Sequence, residues 1–97
     1  VAQLTAKQYD EYENQVALRW VNPSQEGYRL TRIIRKEGSA PQSVHDGLEV
    51  YAGGFPLFID KEIENGRHYY YAAFVETVFG DVSDRAVVDV QTVAGAQ

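Results

Sequence analysis

Apolar and polar residues alternate with a period of two along most of this chain, and turn residues interrupt the alternation roughly every 8–12 positions. Val16, Leu18 and Trp20 alternate with Ala17, Arg19 and Val21, and Asn22-Pro23-Ser24 then stops the strand. Proline lacks a ladder donor, and Asn and Ser favour turns. Residues 28–36 are rich in β-branched and aromatic types and end at Gly38-Ser39-Ala40-Pro41. Asp46-Gly47 opens a short strand over 48–51, which Gly53-Gly54 closes. Another short apolar stretch covers 55–60, bounded by Pro56 and by the turn Asn65-Gly66. Residues 68–76 read as a strong strand with Tyr69, Tyr71, Ala73 and Val75 on one face. Gly80-Asp81 makes a turn within a polar loop over 76–84, and 86–93 closes the pattern. At the front, 1–6 reads as a first strand. Residues 7–15 are polar, carry Tyr9 and Tyr12, and lack the cap and stripe of a full helix. About seven short strands predict an all-β, two-sheet antiparallel sandwich.

Composition narrows the class further. At 97 residues the expectation is a single domain, with a core spanning about 1–93 and a short tail over 94–97. One Trp, seven Tyr and four Phe provide ample material for a small core, which argues against disorder. Zero Cys excludes disulfides, thiolate metal sites and a cysteine nucleophile. A net charge of −5 argues against a nucleic-acid partner. No apolar run approaches the roughly 20 residues of a membrane helix, so membrane insertion is not expected. The opening Val-Ala-Gln-Leu has neither the basic start nor the apolar stretch of a targeting signal, and Met is absent throughout. The chain therefore reads as an excised or processed piece of a longer protein.

The candidate core is Leu18, Trp20, Ile63, Tyr69 and Tyr71. Trp20 ends the best alternating strand and brings the largest apolar area. Ile63-Glu64-Asn65-Gly66-Arg67-His68-Tyr69 is an apolar residue, a tight turn and then a Tyr entering a strand. That is the layout of a tyrosine corner, in which the hydroxyl bonds back to upstream backbone and fixes the crossing between sheets. With these residues in place the chain resembles a fibronectin type III domain, an immunoglobulin-like sandwich, over about 1–93. Leu18-Arg19-Trp20 matches the second strand, 28–35 the third, and Asp60, Ile63, Asn65-Gly66, Tyr69 and Tyr71 the corner and the strand after it. Arg32-Ile33-Ile34-Arg35-Lys36-Glu37-Gly38, with Pro41, Asp46-Gly47 and Val50-Tyr51, resembles the variant common in bacterial and phage proteins. The 76–84 loop lacks Arg-Gly-Asp, so integrin recognition is not implied.

Residues with chemical potential are sparse. His45 and His68 are the two histidines and need not be close, and nothing supplies a nucleophile–base pairing. A filled seven-strand sandwich leaves little room for a substrate cleft, so neither catalysis nor a cofactor is expected. Glu76, Asp81, Ser83 and Asp84 offer oxygens to a calcium ion but lack calcium-loop spacing. Arg29, Arg32, Arg35 and Lys36 hold four of the nine basic residues. Strand parity puts Arg29 and Arg35 on one face and Arg32 on the other, but it also mixes these cations with the apolar residues of both faces, so a bulge, or an Arg stem covering apolar surface, is expected. This group reads either as a stripe for an anionic partner or as ordinary cross-strand pairing with carboxylates. Tyr70, Phe74, Phe79 and Phe55 exceed what one inward face accommodates, and Tyr70 and Phe74 share the face opposite Tyr69. The candidate interaction surface is accordingly Arg29, Arg35, Tyr70, Phe74 and Phe79.

The resemblance implies a non-catalytic spacer or interaction module of an extracellular, cell-surface or virion protein. Its partners would be neighbouring domains of the same chain or another protein. The alternative is a carbohydrate-contacting accessory module of a polysaccharide-active enzyme, which calls for an aromatic platform.

Overall fold

The computed structural model describes residues 2–8, 15–24, 26–64 and 66–92, with Ser83 and Asp84 described by backbone alone. Seven strands run β1 (Ala2–Gln8), β2 (Val16–Val21), β3 (Tyr28–Glu37), β4 (Leu48–Gly53), β5 (Leu57–Asp60), β6 (His68–Thr77) and β7 (Val82–Gln91). They form a three-stranded sheet, β1-β2-β5, facing a four-stranded sheet, β4-β3-β6-β7. All ladders are antiparallel. Val1, Tyr9, Tyr12, Asn65 and the expected tail lie outside the described residues.

The core sits between the sheets because each strand turns one row inward. Val16, Leu18 and Trp20 of β2 face Ile33 of β3 and Tyr69, Tyr71 and Ala73 of β6, with Ile63 closing one end. Leu18 and Tyr71 are fully buried, and Ile63, Trp20 and Tyr69 nearly so. Tyr51 joins from β4, with its ring edge-on to Trp20 and stacked on Phe58.

Two poles follow from the register. Ala2 pairs with Val21, and Tyr28 with Thr77, at what we term the Trp20 pole. Gln8 pairs with Val16, Val16 with Asp60, and His68 with Gln91 at the opposite, Tyr69 pole. The chain thus enters β1 at one pole and leaves β7 at the other, along a long axis of 48 Å against 22 and 18 Å across.

The structure corrects two expectations and bears out a third. First, β7 begins at Val82, so the polar 76–84 segment is mostly strand, and the turn is confined to 78–81. The Thr77 amide donates to Asp81 O and the Gly80 amide to Thr77 O, which closes a tight hairpin despite the run of polar residues. Second, the expected bulge in β3 is present and breaks the parity, so Arg29 and Arg35 do not share a face. The β3–β6 register shifts between Tyr28 and Leu30, leaving Arg29 as an extra residue that turns outward. Arg35 keeps the inward parity of Thr31 and Ile33 and points between the sheets. Third, Phe74 is buried at 6% exposure. It packs with Ile34 and Ala72 in a second apolar cluster on the outer face, which Val44 of the 38–47 loop covers. Gly47 lets that loop return tightly. Its φ is 134°, and a Cβ there would lie 2.6 Å from Arg35 O.

Candidate functional site

Asp60 ends β5 only 2% exposed, although a buried carboxylate is costly without partners. Its Oδ2 accepts the Arg35 guanidinium at 2.7 Å and the Tyr71 hydroxyl at 2.8 Å, while Oδ1 accepts the Glu62 amide at 3.1 Å. The Arg35 guanidinium also lies over the Tyr69 ring, 5.4 Å from its centroid. Burial opposes the Arg35 charge, but the Asp60 hydrogen bond and charge more than offset it, and its pKa rises above the ordinary value. Burial first, and the Asp60 charge second, push the Tyr71 hydroxyl far above its ordinary value. Among the described residues no buried side-chain polar atom lacks a partner, and this node joins the two sheets rather than presenting a reactive group.

The adjacent corner is tied twice. The Tyr69 hydroxyl accepts the Glu64 amide at 2.9 Å. Thr92, fully buried, donates its hydroxyl to Glu64 O at 2.7 Å and accepts the Arg67 amide at 3.1 Å. Nothing in the sequence distinguishes Thr92 from any other strand-end threonine, and sequence reasoning missed it. At the Trp20 pole Asn22 plays a comparable part. Its Oδ1 accepts Trp20 Nε1 at 2.7 Å and Thr31 Oγ1 at 2.9 Å, and its Nδ2 donates to Gly54 O at 2.7 Å. The sequence marked Asn22 only as a strand stop.

The outer face of the four-stranded sheet carries most of the candidate surface. Arg29 pairs with Glu76, and Arg32 bridges Glu76 and Glu49. Lys36 pairs with Asp46 at 2.8 Å. The cations that suggested a stripe for an anionic partner are therefore met by carboxylates of this chain. Tyr70 is half-buried, its ring stacked on His68 at 4.7 Å and 9° between planes. The His68 Nε2 lies 2.6 Å from Asp89 Oδ2. His45 belongs to the 38–47 loop, on the same sheet face but apart from His68. Phe79 is 75% exposed in the β6–β7 turn, with its ring over Gly27, where a Cβ would meet it at 2.7 Å. Val21, Phe55, Val78 and Val82 are exposed at this same Trp20 pole. Among the described residues no cluster of three or more His, Asp or Glu is placed to hold a metal. Of the candidate calcium ligands, Glu76 is engaged by two arginines, and the side chains of Ser83 and Asp84 are outside the described set.

No protein-family model and no curated protein sequence matches the chain. Solved structures do. The fibronectin type III domain of human fibronectin type III domain containing protein 3 superposes over 95% of this chain and 83% of its own, at a TM-score of 0.69 and 18% identity. The chain has the fibronectin type III fold. The same fold is matched within larger proteins. The spore cortex lytic enzyme SleM of Clostridium perfringens aligns with 94% of this chain at a TM-score of 0.70 and 12% identity. The pectate lyase PelI of Erwinia chrysanthemi, solved with tetragalacturonic acid, aligns with 88% at a TM-score of 0.65 and 17% identity. The chain spans 27% of the length of each enzyme. Within the fibronectin type III fold, Tyr69 occupies the tyrosine corner, and the Asp60–Arg35–Tyr71 node lies beside it.

Proposed function

We propose that this chain is a non-catalytic spacer or interaction module of a larger extracellular, cell-envelope or virion protein. The observation that carries the reading is the opposition of the poles: the chain enters β1 at one and leaves β7 at the other, 48 Å being the long dimension. Whatever is joined at the two ends is held apart by a packed sandwich rather than by a flexible linker. The polar groups that could do chemistry are consumed in structural pairs, which supports a non-catalytic role. The neighbours of the same chain, or a second protein, are the partners. The test is small-angle scattering of the chain carrying a compact reporter domain at each end. Reporters separated by the long axis support the spacer; reporters lying side by side overturn it.

The second reading is a carbohydrate-contacting accessory module. It is favoured by the Tyr70–His68 stack on an outer sheet face and by the likeness to a segment of the pectate lyase structure. Affinity electrophoresis in polygalacturonate gels tests it. Retardation abolished by Tyr70→Ala supports this reading, and unretarded migration removes it.

A further inference from the structure

A sheet edge presents unpaired backbone donors and acceptors, and folded domains usually blunt such edges. Three of the four edges here are blunted. In β1 the register shifts between Ala2 and Thr5, and Gln3 adopts a φ of 56°. In β4 the register shifts opposite Ile33 and Ile34, and the strand ends at Gly53. In β5 there are only four residues. The fourth edge is β7, whose irregularity falls at its start, opposite Ala73 and Val75. From Ala86 to Gln91 the strand is regular and has neither Pro nor Gly, and Arg85 borders the irregular start. Among the described residues, β1 packs beside it from the other sheet and takes no part in its ladder.

What guards this stretch is charge: Arg85 and Asp89, both exposed, flank Val87, which is 41% exposed. The three alternate along the outer face, while Ala86, Val88 and Val90 turn toward the core. Charges of opposite sign spaced symmetrically about a central residue repel most strangers but complement their own copy. Consider two β7 edges meeting antiparallel about a two-fold axis. Among registers that keep outer residues opposite outer residues, only the one centred on Val87 sets each Arg85 against the Asp89 of the other copy. It also apposes Val87 with Val87, a favourable β-branched pair. Arg85 donates to Pro41 O at 2.8 Å and Asp89 contacts His68, but a guanidinium has further donors and a carboxylate further acceptor positions, so both contacts survive.

We propose that β7 is a self-complementary edge through which two copies of this chain pair antiparallel about Val87, joining their four-stranded sheets into one of eight strands. The partner is a second copy, and the proposal goes beyond the spacer reading because it needs only this chain. One strand pair gives an interface at the small, transient end of the range.

The test uses the complete chain in sedimentation equilibrium up to on the order of 1 mM. The expected result is a mass rising toward that of a dimer. Asp89→Arg opposes Arg to Arg and Arg85→Asp opposes Asp to Asp, so each variant alone stays monomeric. Mixed in equal amounts they form a heterodimer, because every cross-strand pair is again opposite in sign. Circular dichroism of each variant establishes that it is folded. The chain has no Cys, so Val87→Cys reports the axis directly: oxidation yields a disulfide-linked dimer, whereas Leu48→Cys on the β4 edge does not. Monomeric wild type at every concentration, a dimer that survives both single reversals, or equal cross-linking at positions 87 and 48 overturns the proposal.

Discussion

Arg35 of one sheet reaches Asp60 of the other at 2.7 Å, with only 13% of its side chain and 2% of the Asp60 side chain exposed. The pair spans the sandwich at the Tyr69 pole, where β5 is only four residues long. Removing one member of such a pair leaves a desolvated charge behind. Arg35→Ala is therefore expected to destabilise the chain by about 3–5 kcal/mol. Urea unfolding followed by Trp20 fluorescence measures the loss, and a midpoint within error of wild type contradicts the bridging role.

Tyr71 carries the alkaline limit of stability. Burial and the Asp60 charge hold its hydroxyl protonated far above the ordinary value of 10, whereas in the unfolded chain it ionises near 10. A raised folded pKa contributes stability in full below the unfolded pKa, and that contribution is lost as pH climbs above it. Stability should fall progressively above pH 10. Tyr71→Phe should flatten that fall while lowering stability at neutral pH, because Asp60 loses a donor. Absorbance at 295 nm should show a tyrosine step that comes only with unfolding and is missing from Tyr71→Phe.

Asp46 sets an acid limit on the 38–47 loop. The Lys36 hydrogen bond, then the Gln42 amide, hold its pKa below the ordinary carboxylate value of 3.8. A lowered pKa contributes stability above 3.8, and the contribution disappears as pH drops through the lower folded value. The loop should stay closed at pH 5 and loosen as pH falls below 3.8. Hydrogen exchange at 42–46 checks this, and Asp46→Asn should bring the faster exchange already at neutral pH.

Trp20→Ala removes the largest core side chain, together with a donor to Asn22. The expected cost is about 3–5 kcal/mol. Asn22→Ala should cost a large share of that although it removes little apolar area, because Trp20 Nε1 and Thr31 Oγ1 then lose their common acceptor.

Tyr69→Phe orphans the Glu64 amide and is expected to cost about 1–3 kcal/mol. The hydroxyl acts here as acceptor, so the effect should appear as faster exchange of the Glu64 amide. Unaltered exchange there removes the tyrosine corner from the account.

Strand count, the inward rows of β2 and β6 and the corner at Tyr69 could be read from alternation and turn residues, since both are local properties of the chain. The misplacements share a different cause. Phe74 shares the face opposite Tyr69, which marks it as a candidate for the surface, yet Val44, thirty residues earlier, covers it. A bulge in β3 is expected from the awkward parity of its cations, but its position at Arg29 depends on the β6 ladder. Asp60 gains its partners from β3 and β6, and Thr92 from the 64–67 corner, so neither role has a neighbour in sequence to announce it. Long-range partners, not local propensity, decided what the candidate surface contains.

The opposed poles also determine how the domain meets force. A pull on the two ends draws β1 along its own axis against β2, and β7 along its axis against β6. Antiparallel ladder bonds lie across the strands, so the pull loads many of them together in shear rather than opening them one after another. Such a module resists stretching through its two outermost ladders, and the tension it withstands depends on their length more than on the size of the core between them.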